Sequence, residues 1–247
     1  MRGWWPILKR ELAGYFVTPV AYVFIVIFLV LTGVFTFELG NFYGQEGSGQ
    51  ADLRPFFGFH PWLYLCLVPA VAMRLWAEER RGGTLELLMT LPVTRAGAVV
   101  GKYLAAWAFC GVALALTFPM WVTVAWLGDP DHGAILTGYL GSFLMAGGFL
   151  AIGAAVSAST RSQVIAFIVS VVVCFGFLLA GYGPVINFFT AWAPAGVLEA
   201  LSGFSFLTRF DAMAKGVIDA RDVVFFGSLI AACLVLNAAL LERGKGA

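Results

Sequence analysis

The sequence predicts an all-α membrane protein with six transmembrane helices, and three observations lead there. Of the 247 residues, 61% are hydrophobic and only 12% charged, with a mean hydropathy of +0.90. A soluble domain carries roughly 25% charged residues, so much of this surface must meet lipid. Six runs approach the roughly 20 apolar residues that a helix needs to cross the hydrocarbon core. Finally, the basic residues alternate from one loop to the next, as they do when positive charge is retained on the cytoplasmic side. The net charge of +1 excludes a uniformly basic nucleic-acid binder, and no nucleic-acid partner is expected.

The spans are expected near Pro19 to Phe37, Pro61 to Trp76, Tyr103 to Leu127, Ile135 to Ser157, Val164 to Tyr182 and Val223 to Leu241. The first run follows Arg2, Lys9 and Arg10 but is too long for a signal-peptide core and has no small-residue cleavage site after it, so it is expected to be retained. With the N-terminus inside, Arg2, Lys9, Arg10, Arg74, Arg80, Arg81, Arg95, Lys102, Arg161, Arg243 and Lys245 fall on the cytoplasmic side, eleven in all. Four fall outside: Arg54, Arg209, Lys215 and Arg221. Both termini are therefore expected in the cytoplasm, with residues 1–247 forming a single transmembrane domain.

Before the first span, residues 1–17 form a helix expected to lie flat in the interface. Trp5, Leu8, Leu12, Tyr15 and Phe16 share one face, with Arg10, Glu11 and Gly14 opposite. The first outer loop, Gly40 to Phe59, is glycine-rich around Gly44 to Gln50 and is expected to be mobile. In span four, Gly147, Ala151 and Ala155, with Gly148, Gly153 and Ser157 nearby, make a small face for close helix approach. The fifth span ends at Gly181, Tyr182, Gly183 and Pro184, where a donor is missing.

The interior offers little for chemistry. Cys66, Cys110, Cys174 and Cys233 lie in apolar runs without metal-ligand spacing and read as small buried side chains. His60 and His132 are placed in connecting segments. Glu38 and Arg74 sit at span ends, and Asn237, Ser170, Thr117 and Thr123 are explained by helix-to-helix hydrogen bonds. An ion-coupled transporter would have no coupling group at membrane depth. A P-loop is also absent: residues 96–103 have Ala96 where the first glycine belongs and Tyr103 where Ser or Thr must hold Mg²⁺. No catalytic, metal or cofactor site is expected in this chain.

The connection over residues 77–101 is the most informative. Glu78-Glu79-Arg80-Arg81 leads to a turn at Gly82-Gly83, then Thr84 as N-cap of a short helix with Leu85, Glu86, Leu87, Leu88 and Met89, ended by Pro92. Leu85, Leu88 and Met89 make an apolar knob that something must cover, lipid or a cytoplasmic partner. Between spans five and six, residues 184–222 are rich in aromatics, including Phe188, Phe189, Trp192, Phe204, Phe206 and Phe210, and are expected to form short outer interfacial helices. Phe210, Met213 and Val217 share a face there, and Asp211 pairs with Lys215 at i,i+4. A lid over an exit route and a simple packing layer both fit Phe204, Phe206, Phe210 and Met213.

Glu78-Glu79-Arg80-x-x-Gly83-Thr84-Leu85-Glu86-Leu87-Leu88, followed by Leu91-Pro92, resembles the E-x-R-x-x-G-T-x-E-x-L pattern of the permease subunits of ABC-2 type ABC transporters. The likeness is closest to the branch of gliding-motility and nitrous-oxide-reductase-maturation permeases. It extends to Phe210-Asp211-x-x-x-Lys215-Gly216-x-Ile218-Asp219-x-Arg221-Asp222. The resemblance implies a type V exporter-like fold in the bacterial inner membrane, with a coupling helix after the second span and re-entrant outer helices. It implies two copies of a cytoplasmic ATPase subunit that hold ATP and Mg²⁺, and a second permease copy or paralogue. Glu78, Glu79, Arg80, Gly83, Thr84, Leu85, Glu86, Leu88 and Met89 become the coupling residues. The cargo is then an amphipathic or lipid-like molecule, or force passed to an extracytoplasmic protein. A non-transporting scaffold and a membrane-embedded lipid-modifying enzyme are the alternatives, although the enzyme would need clustered His, Asp or Glu at one interface.

Overall fold

A computed structural model describes residues 3–40, 53–86, 94–190, 194, 196, 198 and 202–243. Among these every regular element is helical. The chain begins with α1 (Trp4–Val17), which ends at the extended Thr18, and Pro19 then opens α2 (Pro19–Val34). Proline suits a first helical position because its missing donor would be unpaired there anyway. A π-helical turn, Phe35–Leu39, continues α2. The next run is α3 (Arg54–Ala72) and α4 (Arg74–Gly82), parted only at Met73. After it come α5 (Arg95–Ala115), α6 (Phe118–Leu127) and α7 (His132–Ser159). The chain closes with α8 (Gln163–Leu179), α9 (Gly183–Phe189), α10 (Phe206–Ala214) and α11 (Ala220–Arg243). Side-chain oxygens of Thr94, Asp131, Ser162 and Ser205 accept from backbone N–H groups at the starts of α5, α7, α8 and α10, satisfying donors that helix ends leave unpaired.

Helix α7 is the axis of the bundle and packs against α3, α4, α5, α8, α10 and α11. Its glycines make that possible. A Cβ on Gly147 would lie 2.8 Å from the Trp107 ring, one on Gly153 2.5 Å from Ala72 Cβ, and one on Gly138 2.6 Å from the Phe57 ring. The small face expected on span four is thus used inside the chain. The bundle's outward faces are apolar, with Val23, Val26 and Val30 of α2 and Val164, Ile168 and Val172 of α8 exposed, as lipid contact requires.

Among the described residues, five helical runs are long and apolar enough to cross a membrane: Pro19–Leu39, Arg54–Gly82, Arg95–Leu127, His132–Ser159 and Ala220–Glu242. The expected fifth span, α8, is apolar but has 17 residues, about 25 Å of helix against a core of about 30 Å. The second span starts seven residues earlier than expected, at Arg54, because Pro61 and Pro69 are carried inside α3; neighbouring helices make such prolines tolerable in lipid. Residues 54–59, expected in a mobile loop, are therefore helical, and Gly44 to Gln50 lie outside the described residues. His60, placed by sequence in a connection, is fully buried in α3 among Phe28, Phe56, Phe57 and Tyr64. The third span is broken between α5 and α6 near Thr117, whose hydroxyl donates to Leu114 O at 2.6 Å; Pro119, without an N–H, stands just beyond.

Other polar assignments change as well. Thr117 alone of the four links helices, its hydroxyl lying 3.1 Å from that of Tyr139. Ser170 and Thr123 donate to Ala166 O and Pro119 O in their own helices, and Asn237 is buried with neither amide atom bonded among the described residues. Cys66 is exposed on the apolar surface, whereas Cys110 and Cys174 are buried and Cys233 is half-buried.

Candidate functional site

The end of the bundle carrying α1 holds a buried cluster of charge. Lys102, in α5, is only 4% exposed, and its Nζ lies 2.8 Å from Glu79 Oε1 of α4 and 3.1 Å from Glu11 Oε2 of α1. It also stands 5.4 Å from the centre of the Trp76 ring. A buried ammonium is costly unless paired, and here two carboxylates from two other helices converge on it. Burial alone would raise the Glu11 carboxyl, but the Lys102 ammonium and the Arg10 guanidinium more than offset it and hold it below the ordinary carboxylate range. Glu79 Oε2 is buried without a bond among the described residues.

Close backbone approach builds this triad. Gly101 lets α1 lie directly on α5: a Cβ there would be 2.7 Å from Trp4 O and 3.1 Å from Ile7 Cβ. Glu11, expected on the water face of α1, is consequently turned inward, and Ile7 is the buried residue of that helix. Helix α1 is a packed element as well as a surface one.

The start of α4 is held from outside. Ser157 Oγ, on α7, accepts from Trp76 N at 3.1 Å and Ala77 N at 3.0 Å, and donates to Met73 O at 2.9 Å. One hydroxyl thereby supplies the cap that the α3–α4 joint lacks in its own sequence. At the other end of α4, Gly83 has φ of +68°, the left-handed conformation that only glycine takes at no cost. The expected turn at Gly82-Gly83 is therefore a helix terminus at Gly83.

Of the expected coupling residues, Glu78, Glu79 and Arg80 share α4, and Gly83, Thr84, Leu85 and Glu86 follow it. Leu88 and Met89, with Leu87 and Pro92, lie outside the described residues. Glu78 pairs with Arg74 at 3.0 Å. Arg80 donates from Nη2 to Leu240 O of α11 at 3.3 Å, while its Nε is buried and unbonded among the described residues. Thr84 is already helical rather than a cap, and its hydroxyl donates back to Glu79 O at 3.5 Å. Leu85 is half-buried against the chain's own core, so it is not part of a bare knob. Glu79 and Arg80 are bonded into this chain, to Lys102 and to Leu240 O. Sequence reasoning missed Lys102 and Glu11 as members of this cluster and Ser157 as the cap of α4.

At the opposite end, α10 presses an apolar face into the bundle. Phe206, Phe210 and Met213 are buried, whereas Phe204 and Val217 are exposed, so the face runs through Met213 but not to Val217. The Phe206 ring lies 4.8 to 6.0 Å from those of Phe149, Phe177, Phe225 and Phe226. Gly141 accommodates Met213, and Thr137 donates to Met213 O at 2.7 Å. Arg209 ties α10 to α11 through Asp222 at 2.8 Å and stacks over Phe225 at 4.2 Å. The expected Asp211–Lys215 pair forms.

Apolar helices wrapped on a glycine-lined axis, with apolar outward faces, define a multi-pass membrane protein. The family described as ABC-2 family transporter protein matches residues 5–238. The chain belongs to that family, whose members are membrane components of ABC transporters. No curated protein matches it.

Proposed function

We propose that this chain is the permease subunit that couples ATP hydrolysis in a separate cytoplasmic subunit to export of an amphipathic or lipid-like cargo, or to force on an extracytoplasmic partner. Six spans, α8 among them, would place both termini and the Lys102 cluster in or near the cytoplasm of a bacterial inner membrane. Two permeases, identical or paralogous, would stand over two ATPases holding ATP and Mg²⁺. The segment Phe210 to Asp222 supports kinship with the gliding-motility and nitrous-oxide-reductase-maturation branch. Phe204, just before α10, and the α10 residues Phe206, Phe210 and Met213 would form the outer cover of the route.

The observation that carries the reading is Lys102 joined to Glu79 of α4 and Glu11 of α1. Glu79 lies inside the family-like motif, between Glu78 and Arg80, so displacement of the segment from Glu78 to Met89 by a partner would reach α1 and α5 through these ion pairs. An apolar anchor supplies affinity and a polar rim orientation. Leu88→Asp is expected to abolish co-purification of the ATPase while leaving membrane insertion intact. Normal co-purification of that variant removes the docking role, and a lipid-modifying activity without ATP in the purified chain would favour the enzyme instead.

A further inference from the structure

A cavity of about 320 Å³ opens beside the Lys102 cluster, between α1 and the start of α4. Arg10, Glu11, Arg74, Glu78 and Lys102 supply its charges, and Gly14, Tyr15, Thr18 and Leu75 complete its wall. It lies where α1 turns at Thr18 into the membrane-crossing α2, beside the exposed Val17 and Val20. Lys102 is engaged by two carboxylates, whereas Arg10 meets Glu11 through Nη2 and Arg74 meets Glu78 through Nε and Nη2. A guanidinium has five N–H donors, so both arginines retain donors for a further acceptor. No Cβ built on Gly14 would meet anything within 4 Å.

We propose that this cavity holds the headgroup of an aminophospholipid, with the phosphodiester on Arg10 and Arg74 and the primary ammonium on Glu78. The alternation of guanidinium and carboxylate along the wall matches a zwitterion whose phosphate and ammonium are two carbons apart. It suits a pure anion less well, because Glu78 would face it. A choline group fits poorly, since a quaternary ammonium wants an aromatic cage and the face of Tyr15 is stacked on Phe109 at 4.9 Å. The acyl chains would leave the cavity along Val17 and Val20 into the leaflet. This inference requires only that the chain be embedded in lipid, and it stands whether or not an ATPase docks.

The test equilibrates the full chain in vesicles of equimolar phosphatidylethanolamine, phosphatidylcholine and phosphatidylglycerol, extracts it in mild detergent and counts retained lipid by native mass spectrometry. One phosphatidylethanolamine per chain is expected, preferred about tenfold over phosphatidylcholine, as one charge-assisted hydrogen bond supplies. Arg74→Gln should lose it by removing the phosphate donor. Gly14→Leu should lose it by filling the space with every charge kept, and Glu78→Gln should erase the preference for ethanolamine. Equal retention of the ethanolamine and choline lipids by the unaltered protein overturns the proposal, as does preference for phosphatidylglycerol. Undiminished retention in both Arg74→Gln and Gly14→Leu overturns it too. Soluble glycerophosphoethanolamine that displaces the lipid at equal concentration would make the source a free headgroup and overturn the membrane-lipid assignment.

Discussion

The two ends of this bundle are held by different physics. At the α10 end, Phe206 is enclosed by four other phenylalanine rings, and the arginine that helps, Arg209, works at the margin. At the α1 end, three helices meet on one buried ammonium. Aromatic packing is gained in many small increments over a large surface, so it resists displacement in every direction. A buried ion pair has few partners and a steep cost when broken, so it holds one register firmly and fails as a unit. The first arrangement builds a rigid block; the second builds a joint with defined positions.

Substitutions can break or sharpen this contrast. Phe206→Ala should have the largest effect, about 4 kcal/mol of lost stability by the usual cost of emptying a buried aromatic site, read as a lowered midpoint of unfolding in detergent. An effect under about 1 kcal/mol would mean that α10 is a loose cover and not part of the block. Lys102→Met should cost about 3 kcal/mol, because the partly buried Glu11 and Glu79 lose the cation they share. Adding Glu11→Gln and Glu79→Gln should recover much of that loss, and failure to recover would show that Lys102 acts through packing instead of charge.

A smaller effect is expected from acid. Glu11 is held below its ordinary value of about 4.5, so its contribution is complete above that value and is lost as pH falls below it through the depressed one. Stability measured from pH 6 down to pH 3 should therefore decline more in the unaltered protein than in Glu11→Gln; parallel curves would remove Glu11 from the joint. The smallest change belongs to Asn237→Leu, which removes a buried amide with no partner among the described residues. It should leave stability unchanged or raise it by about 1 kcal/mol, and a marked loss would reveal a bond made by that amide in the membrane.

The bundle was legible in the sequence wherever the information is local. Runs of apolar residues mark the spans, Gly147, Ala151 and Ala155 mark the face on which α7 is approached, and Gly83 marks the end of α4. The exceptions are also local: Pro61 resembles a boundary in sequence although buried helices carry proline, and Pro119 stands in an apolar run that breaks beside it. The Lys102 cluster was not legible because Glu11, Glu79 and Lys102 are distant in sequence and come together only through the close approach at Gly101. Hydropathy and charge counting place Lys102 at a span edge and cannot show two carboxylates converging on it. The same reasoning put Leu85 in a knob to be covered by lipid or a partner, whereas it rests half-buried on the chain's own core.

Ser157 gives the second membrane-crossing run a set angle at Met73. Because its hydroxyl bonds both to the last carbonyl of the bend and to two amides beyond it, α4 has no swivel of its own. Any rocking of α4 must either drag the axial helix along or snap three hydrogen bonds at once, so movement at one edge of the molecule is felt at its centre.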